Sequence, residues 1–424
     1  MQDVQDALWK HRSLVKTWCM RGTLHLISAS DLPVYVAARK TTMVVKRDWL
    51  TPEIDVEQRK RIVRAIREAL DGKILTRERL AEEVVSDLCG VQAQVLSYAA
   101  LAIWARVEGI TMQDVQDALW KHRSLVKTWC MRGTLHLISA SDLPVYVAAR
   151  KATSVVRHDW LTPEIDVEER KRIVGAIRDV LDGKILTRER LAEEVVKRLG
   201  MSASVRKHML SGWGNLLNPA AEQGYLCFGP SEGSKVTFVR PDQWVGRWDE
   251  PSGRKAWKTL LRRFFSTYGP ATHHDIGHWW GFRPERARML MDYIADELAE
   301  VEFEGQKRWV RREDVERIVD VERVRSVKLL PSWDCYVMFY HPRELLVSQN
   351  YRARVFRKLE GNAPVLLVDG VAGGVWEQRR KSGRTELTVH PFSNLSSGQK
   401  QLVRDEANSL GEFMGTNVEV TILS

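Results

Sequence analysis

Two glutamines separated by a single residue, Gln92 and Gln94, are the first candidates for chemistry in the sequence. An amide side chain offers one carbonyl acceptor and two N–H donors, which is enough to orient a water molecule, although an amide is a poor base. On spacing alone, however, two such glutamines are typical of the solvated start of a helix. The motif by itself leaves a catalytic and a structural interpretation open.

A second group of polar residues follows in the segment Arg132-Gly-Thr-Leu-His136. An arginine beside a short strand that carries Thr134 and His136 suits contact with a phosphate. The alternative is structural, because hydroxyl and imidazole groups often bond only to backbone atoms. Both interpretations of Thr134 and His136 stay open.

Basic residues are concentrated further along the chain. Arg283, Arg286 and Arg288 fall on one predicted helix, and Lys307 and Arg308 fall on the hairpin that follows it. Any one of them would usually be part of a solvated face, but several on a helix and its hairpin are typical of a phosphate-binding surface. We therefore predict that these five residues contact DNA.

No metal site and no cofactor are expected. His274 and His278 have the spacing of two zinc ligands on a helix, but no third Cys, His or Glu stands at ligand spacing. The five cysteines are scattered without a Cys-x-x-Cys pair, which excludes a zinc ribbon and a disulfide framework.

The elements that must position these residues fall into three groups. Two stretches have the order helix, helix, helix and two-stranded hairpin, which is the order of a winged helix. Their helices and strands are predicted at 167–181, 187–199, 203–222, 225–228 and 235–239, and at 254–268, 272–280, 284–298, 301–304 and 308–311. After residue 327 the pattern changes to short strands and one final helix, 396–410. The predicted fold class is α+β, mainly helical, with tandem winged-helix (helix-turn-helix) domains followed by a small β-rich C-terminal module.

An internal duplication precedes these units. Residues 1–85 repeat residues 112–196 with only eight substitutions. The first copy starts in mid-unit, without the apolar helix predicted over 92–106, so we expect it to be a supernumerary product of gene duplication or sequence assembly that exposes an apolar patch. The predicted domains are 1–85 (the extra copy), 86–245 (first winged helix with the glutamines), 246–326 (second winged helix) and 327–424 (C-terminal module).

Composition narrows the class of protein. Hydrophobic residues make up 44% and charged residues 28% of the 424 positions, so the chain can bury a large core. Sixty-five Lys and Arg against 55 Asp and Glu give a net charge of +10, which favours a polyanionic partner. No apolar run approaches the ~18 residues of a membrane span, and no signal-peptide pattern is visible. We expect a monomer without membrane association, cytoplasmic and nucleoid-associated in a bacterial-type cell.

Five short motifs make a family resemblance visible. They are Gln92-Ala-Gln94, Arg132-Gly-Thr-Leu-His136, Tyr268-Gly-Pro-Ala-Thr272, Leu329-Leu-Pro-Ser-Trp-Asp334 and Val368-Asp-Gly370. In this order they resemble the winged-helix DNA-binding-domain family that includes the azinomycin-resistance and interstrand-crosslink DNA glycosylases. The resemblance covers about residues 74–424 and leaves the first copy largely outside.

The resemblance implies tandem winged helices around double-stranded DNA and a catalytic role for Gln92 and Gln94. It implies a monofunctional DNA glycosylase that hydrolyses the N-glycosidic bond of bulky or crosslinking N7-alkylated purines. Trp333 and Asp334 could then lie near the mouth of the DNA groove, although the neighbouring Leu and Pro favour a core position for Trp333.

Two other functions remain compatible with the sequence: a non-catalytic winged-helix DNA-binding or regulatory protein, and a protein-interaction scaffold. Base release that depends on the glutamines would separate the first function from the second. Salt-dependent affinity for duplex DNA would separate both from the scaffold.

Overall fold

A computed structural model of the chain describes residues 14–18, 24–28, 77–153, 165–201, 203–212, 214–319, 325–339, 341–357 and 361–423. The chain divides into two compact units, Met1–Ile74 and Leu75–Ser424. In the first unit, strand β1 (Leu14–Trp18) pairs antiparallel with β2 (Leu24–Ser28). The apolar patch predicted for the first copy falls outside the described residues.

The second unit opens with helices around a three-stranded antiparallel sheet. Its elements are α1 (Arg77–Asp87), β3 (Val91–Gln92), α2 (Leu96–Trp104), α3 (Met112–Trp120), β4 (Leu125–Trp129), β5 (Leu135–Ser139) and α4 (Leu143–Thr153). The strand order is β3-β5-β4. Helix α3 starts where the sequence indicates, because Thr111 and Asp114 form a reciprocal capping box.

A helical group with a hairpin comes next. It comprises α5 (Val167–Val180), β6 (Leu186–Thr187), α6 (Arg188–Leu199), α7 (Ala203–Leu210), α8 (Leu217–Glu222), β7 (Cys227–Glu232) and β8 (Lys235–Val239). Asp166 and Thr187 cap α5 and α6 through the backbone N–H three residues later, as their sequence positions predict. The hairpin joins β6 into a sheet of order β6-β8-β7.

A second helical group with a hairpin follows. It comprises α9 (Pro241–Trp244), α10 (Gly253–Tyr268), α11 (His273–Trp280), α12 (Pro284–Met291), a 3-10 segment (Asp292–Glu297), β9 (Leu298–Phe303) and β10 (Gln306–Arg311). Helix α10 ends before Pro270, which has no N–H to continue the helical bonds. Thr272 and Asp275 form the capping box of α11, and Gly281 closes it in a left-handed conformation.

The C-terminal part is built on a five-stranded sheet of order β11-β14-β15-β16-β17, in which only β16 and β17 run parallel. Between β10 and the end of the chain lie α13 (Val315–Val319), β11 (Val327–Leu330), α14 (Cys335–Phe339), α15 (Arg343–Leu346), α16 (Arg352–Val355), β12 (Phe356–Arg357), β13 (Gly361–Asn362), β14 (Val365–Val368), β15 (Val371–Lys381), β16 (Arg384–Pro391), α17 (Ser397–Met414) and β17 (Asn417–Ile422).

The sheet β3-β5-β4 takes part in four hydrophobic cores, in one of which Val126 packs with α4, α9 and the β7–β8 hairpin. Leu137 packs in a core shared with α1, α2 and the C-terminal sheet. Ile138 packs with the aromatic residues of α10 and α11. Trp129 and Leu135 pack with α5, α6 and the β7–β8 hairpin. The short sheet therefore joins all the helical and strand groups of the second unit.

The α+β fold class predicted from the sequence is confirmed, and several element bounds differ. The segment predicted as a helix over 92–106 begins as a strand, so its helix is α2 alone. The stretch 203–222 forms two helices, since Gly214 adopts a left-handed φ of 71° between them. The helix expected over 284–298 stops at Met291 and continues as the 3-10 segment.

The predicted boundary after residue 85 falls inside helix α1, whereas the structure divides the chain between Ile74 and Leu75. The other two boundaries, after residues 245 and 326, stay predictions. Within the described residues, no helix has both the length and the apolar content that a membrane crossing requires.

Candidate active site

Gln92 lies in a strand only two residues long, which exists because β5 pairs with it. Gln92 stands opposite His136 in the antiparallel register, and Ala93 N–H donates to the Leu135 carbonyl (2.7 Å). Extended backbone turns every second side chain to the same face. Ala93 is buried, while Gln92 is half-buried and Gln94 is exposed just before α2. The two glutamines are thus presented by a strand end and not by a helix.

The turn between β4 and β5 aims Arg132 at this strand end. Arg132 adopts φ 57° and Gly133 φ 70°, and both values lie in the left-handed region. Thr134 Oγ1 closes the turn by donating to the Met131 carbonyl (3.1 Å). A left-handed non-glycine residue is strained and persists only where the surrounding structure holds it.

The guanidinium of Arg132 joins three parts of the molecule. Nη2 donates to Gln92 Oε1 (2.6 Å) and to His136 Nε2 (3.3 Å). Nη1 donates to the backbone carbonyl of Trp279 at the C-terminal end of α11. The guanidinium carbon also lies 5.0 Å from the centre of the Phe339 ring. Gln92, Arg132 and His136, which the sequence proposed separately, therefore form one network.

Burial sets the charge of this network. Desolvation, with the nearby Arg132 and Arg150 charges, lowers the pKa of His136 well below 6.5, so its imidazole is neutral at pH 7. Because arginine can only donate, Nε2 accepts and Nδ1–H donates to the Thr134 carbonyl (3.0 Å). Desolvation lowers the pKa of Arg132 to about 10, which leaves it cationic at neutral pH.

An aromatic pair stands next to the start of α2. Tyr98, in the first turn of that helix, packs edge-on against Trp333 with ring centres 5.9 Å apart. Trp333 has φ 59°, and its backbone N–H donates to Asn362 Oδ1 (2.9 Å). A side chain at Gly361 would come within 2.0 Å of the Trp333 indole, so this approach requires glycine. Trp333 is half-buried. Its burial is intermediate between the core position and the position at the groove mouth that the sequence left open.

Asp334 is fully buried and forms an ion pair. Both of its carboxylate oxygens accept from Arg106, each at 2.8 Å. The Asp334 carboxylate is therefore held inside the protein by Arg106.

The predicted phosphate-binding residues differ in their surroundings. Arg283 and Arg288 are exposed at the start and end of α12, and neither forms an ion pair with a described residue. Arg286 is half-buried with its guanidinium 4.9 Å from the Phe282 ring centre. Lys307 is exposed and pairs with Glu300 (2.8 Å).

Arg308 is only 4% exposed. It lies 3.5 Å from Asp275 and donates to the Pro270 carbonyl (3.2 Å), so it connects the β9–β10 hairpin to the capping box of α11. His274 and His278 are exposed on α11, and in the described part of the chain no three His, Cys, Asp or Glu side chains are grouped to hold a metal ion.

Comparison with known proteins decides the family. A family model described as "DNA glycosylase AlkZ-like" matches residues 1–87 and 85–413. The chain belongs to the AlkZ-like DNA glycosylase family. Its activity is accordingly that of a DNA glycosylase, and the resemblance drawn from the five motifs is confirmed.

Both a curated protein and a solved structure from Streptomyces sahachiroi are similar to this AlkZ-like glycosylase. The curated protein named "Interstrand DNA cross-link repair glycosylase" is 32% identical over 352 residues, which cover 80% of this chain and 91% of the relative. The solved structure of Streptomyces sahachiroi DNA glycosylase AlkZ matches with a TM-score of 0.72 at 30% identity, over 85% of this chain and 97% of the other.

One expectation about the AlkZ-like glycosylase was wrong. The first copy was expected to lie largely outside the family, but residues 1–87 match the family model as well. The physical reason is the duplication itself, since residues 1–85 carry nearly the same side chains as residues 112–196.

Sequence reasoning about the AlkZ-like glycosylase missed two partners of Arg132, the Trp279 carbonyl and the Phe339 ring. A backbone carbonyl leaves no trace in a residue pattern. Gly281 was the available signal: a Cβ there would lie 3.2 Å from Arg132 Cα, so the glycine marks the close approach of α11 to the turn.

Proposed function

We propose that this AlkZ-like glycosylase hydrolyses the N-glycosidic bond of N7-alkylated purines, including bulky and crosslinking lesions, in double-stranded DNA. The observation that carries the proposal is the pair of amides, with Gln92 held by Arg132 and Gln94 exposed beside it. The printed name of the Streptomyces sahachiroi relative, a cross-link repair glycosylase, supports this substrate class.

The chemistry suits amides because an N7-alkyl group gives the purine a positive charge. In the proposed reaction the C1′–N9 bond breaks and its electron pair returns to the purine, which leaves as a neutral base. A water oxygen forms the new bond to C1′, and its proton passes to solvent. The transition state resembles an oxocarbenium ion, so the protein must mainly hold the water and stabilise developing charge.

The absence of a strong base among the two proposed catalytic residues, Gln92 and Gln94, should restrict turnover to cationic bases. An amide can orient a water but barely deprotonate it, so an uncharged base, which is a poorer leaving group, should not be released. No lysine nucleophile is needed in this mechanism. The expected product is an abasic site in an unbroken strand, which makes the enzyme monofunctional.

DNA binding is proposed to use the two helical groups as tandem winged helices, with Arg283, Arg286, Arg288 and Lys307 on phosphates. The enzyme is proposed to act as a monomer at the bacterial nucleoid, in the cytoplasm.

The test uses purified full-length protein and a duplex that contains one N7-methylguanine. We expect free base to appear and the strand to break only after alkali. Because each glutamine is one preorganised polar group, Gln92→Ala and Gln94→Ala should each lower the rate of base release by roughly 10²–10³-fold. Affinity for undamaged duplex should barely change.

Gln113→Ala is the matched control. Gln113 is an exposed glutamine of α3, and its amide donates to Asp117 of the same helix (2.7 Å). Its rate should equal that of the wild type. Undiminished base release in the Gln92→Ala/Gln94→Ala double variant would rule out the proposed mechanism.

A further inference from the structure

The bond between Arg132 and Gln92 fixes which way the Gln92 amide points. A guanidinium has five N–H donors and no acceptor. Arg132 Nη2 lies 2.6 Å from the Gln92 side chain, so the atom at that distance must be the carbonyl oxygen Oε1. The reversed amide would set N–H against N–H. The NH2 group of Gln92 is therefore the end that faces away from Arg132.

We infer that Arg132 is a positioning residue that makes Gln92 a hydrogen-bond donor toward the DNA and leaves Gln94 as the acceptor for the attacking water. This inference rests on the proposed function and assigns a different hydrogen-bonding role to each of the two glutamines. Gln92 Oε1 keeps a second lone pair, but a charge-assisted bond from Arg132 draws electron density from that oxygen. Gln94 is exposed and carries the more basic amide oxygen of the two.

The surroundings of Arg132 hold its side chain in one place. Its second terminal nitrogen is bonded to the Trp279 carbonyl, and its flat face lies against Phe339. Its left-handed backbone is tolerated because the turn is closed by Thr134 and because Gly281 lets α11 approach. A guanidinium anchored at both ends fixes the group it binds.

The same contacts argue against a phosphate-binding role for Arg132. Three of its five N–H donors already serve Gln92, His136 and Trp279, and a phosphate that took these donors would release Gln92. His136 is 1% exposed, with both ring nitrogens bonded within the protein. A positioning residue changes the rate of the chemical step, whereas a phosphate contact changes affinity and its salt dependence. The two roles can therefore be separated by measurement.

The first experiment is Arg132→Lys, assayed under single-turnover conditions on the N7-methylguanine duplex. Lysine keeps the charge but has no planar fork to reach Gln92 and Trp279 together. We expect the base-release rate to fall roughly 10–100-fold through misplacement of Gln92. The Kd for undamaged duplex and its salt slope should not change. A loss of affinity with a reduced salt slope and an unchanged rate would overturn the inference in favour of phosphate binding.

A double-variant cycle tests whether Arg132 acts through Gln92. If it does, adding Arg132→Lys to Gln92→Ala should lower the rate no further than Gln92→Ala alone. Arg150→Lys is the matched control, because Arg150 is also an arginine bonded within the protein, donating to the carbonyls of Trp129 and Cys130 and to Asn218 Oδ1 (3.1 Å). Its effect should multiply with that of Gln92→Ala. Multiplicative effects for Arg132 as well would overturn the inference.

Replacing each amide by a carboxylate tests the division of work. An ionised glutamate only accepts hydrogen bonds. Gln92→Glu keeps the bond from Arg132 and the fold but removes the N–H donors, whereas Gln94→Glu keeps an acceptor. We expect the rate loss in Gln92→Glu to exceed that in Gln94→Glu by about tenfold, one lost donor being worth that much or more. An equal or reversed order would overturn the assignment of donor and acceptor.

An observable besides activity distinguishes failure of this inference from failure of the proposed function. If the wild type releases no N7-methylguanine, the proposed function fails, and the side-chain amide resonances of ¹⁵N-glutamine-labelled protein still test the positioning. The Gln92 amide signal, assigned with Gln92→Ala, should move in Arg132→Lys and stay in place in Arg150→Lys. An unmoved Gln92 signal in Arg132→Lys would overturn the inference whatever the activity.

Discussion

His136 is a buried neutral histidine, and its protonation opposes folding. Its folded-state pKa lies well below 6.5, so the unfolded chain binds the proton more readily. Stability is therefore full above about pH 6.5 and falls as pH drops below it, by about 1.4 kcal/mol per pH unit until the folded pKa is reached. We expect His136→Gln, which cannot titrate, to lose this slope in urea unfolding between about pH 6 and pH 5.

Exposed His122 provides the comparison for that experiment. His122→Gln is the same substitution at an exposed position and should keep the wild-type slope of stability against pH. If His136→Gln keeps the wild-type slope too, the acid sensitivity arises elsewhere and the neutral state assigned to His136 is wrong.

At the scale of single residues, the sequence singled out side chains that the structure brings together, but it did not predict their contacts. Gln92, Arg132 and His136 were all singled out, and the structure joins them. Arg288 and Arg308 have the same side chain and neighbouring elements, yet one is exposed and the other is 4% exposed beside Asp275. Burial depends on how β10 packs against α11, which residue type alone does not encode.

Helix α12 carries the arginines best placed to test DNA binding at the level of one element. If Arg286 and Arg288 each neutralise a phosphate, the slope of log K against log salt should become less negative by about 0.9 per contact in Arg286→Ala/Arg288→Ala. The measurement is the affinity for undamaged duplex at several salt concentrations. Base release at saturating DNA should be unaffected.

Arg404, exposed on α17, supplies a control that removes a positive charge outside α12. Arg404→Ala should leave the salt slope as it is in the wild type. Equal slopes for the α12 double variant and the wild type would exclude α12 from the DNA-binding surface.

At the scale of elements, caps were predictable and core assignments were not. Thr111 and Thr187 cap the helices that the sequence predicts directly after them, because a cap depends on residues three apart. Residues 77–85 and 188–196 are identical, yet they pack in two different cores. The same nine residues thus bury Ala81 and Val85 in one copy and Leu191, Ala192 and Val195 in the other. Only the partner elements decide which face is buried.

The polar residues of this repeated helix show the same dependence. Glu82 is 7% exposed and accepts from Ser139 (2.8 Å) and Ser141 (3.2 Å) at the end of β5. Its counterpart Glu193 lies on the surface and pairs with Arg206 (3.2 Å). Helix α1, although part of the repeated sequence, is thus built into the second unit and supports the strand that carries His136.

For the whole molecule, the packing of α1 in the second unit predicts how much of the duplicated segment can be removed. Deleting residues 1–70 takes away only chain that precedes the second unit, which starts at Leu75. We expect the shortened enzyme to keep its melting temperature and its rate of base release. Its solubility should improve if the first copy exposes an apolar patch.

Deleting residues 1–87 removes α1 as well and should give the opposite result. Val85 is 0% exposed, and loss of such a side chain costs about 1.5–3 kcal/mol by itself. The hydroxyls of Ser139 and Ser141 would also lose Glu82 as their acceptor, beneath the strand that pairs with Gln92. We expect a lower melting temperature and a lower rate of base release, measured beside the 1–70 deletion. An inactive 1–70 deletion would show that the first copy belongs to the working fold, and a fully stable 1–87 deletion would show that α1 does not support the site.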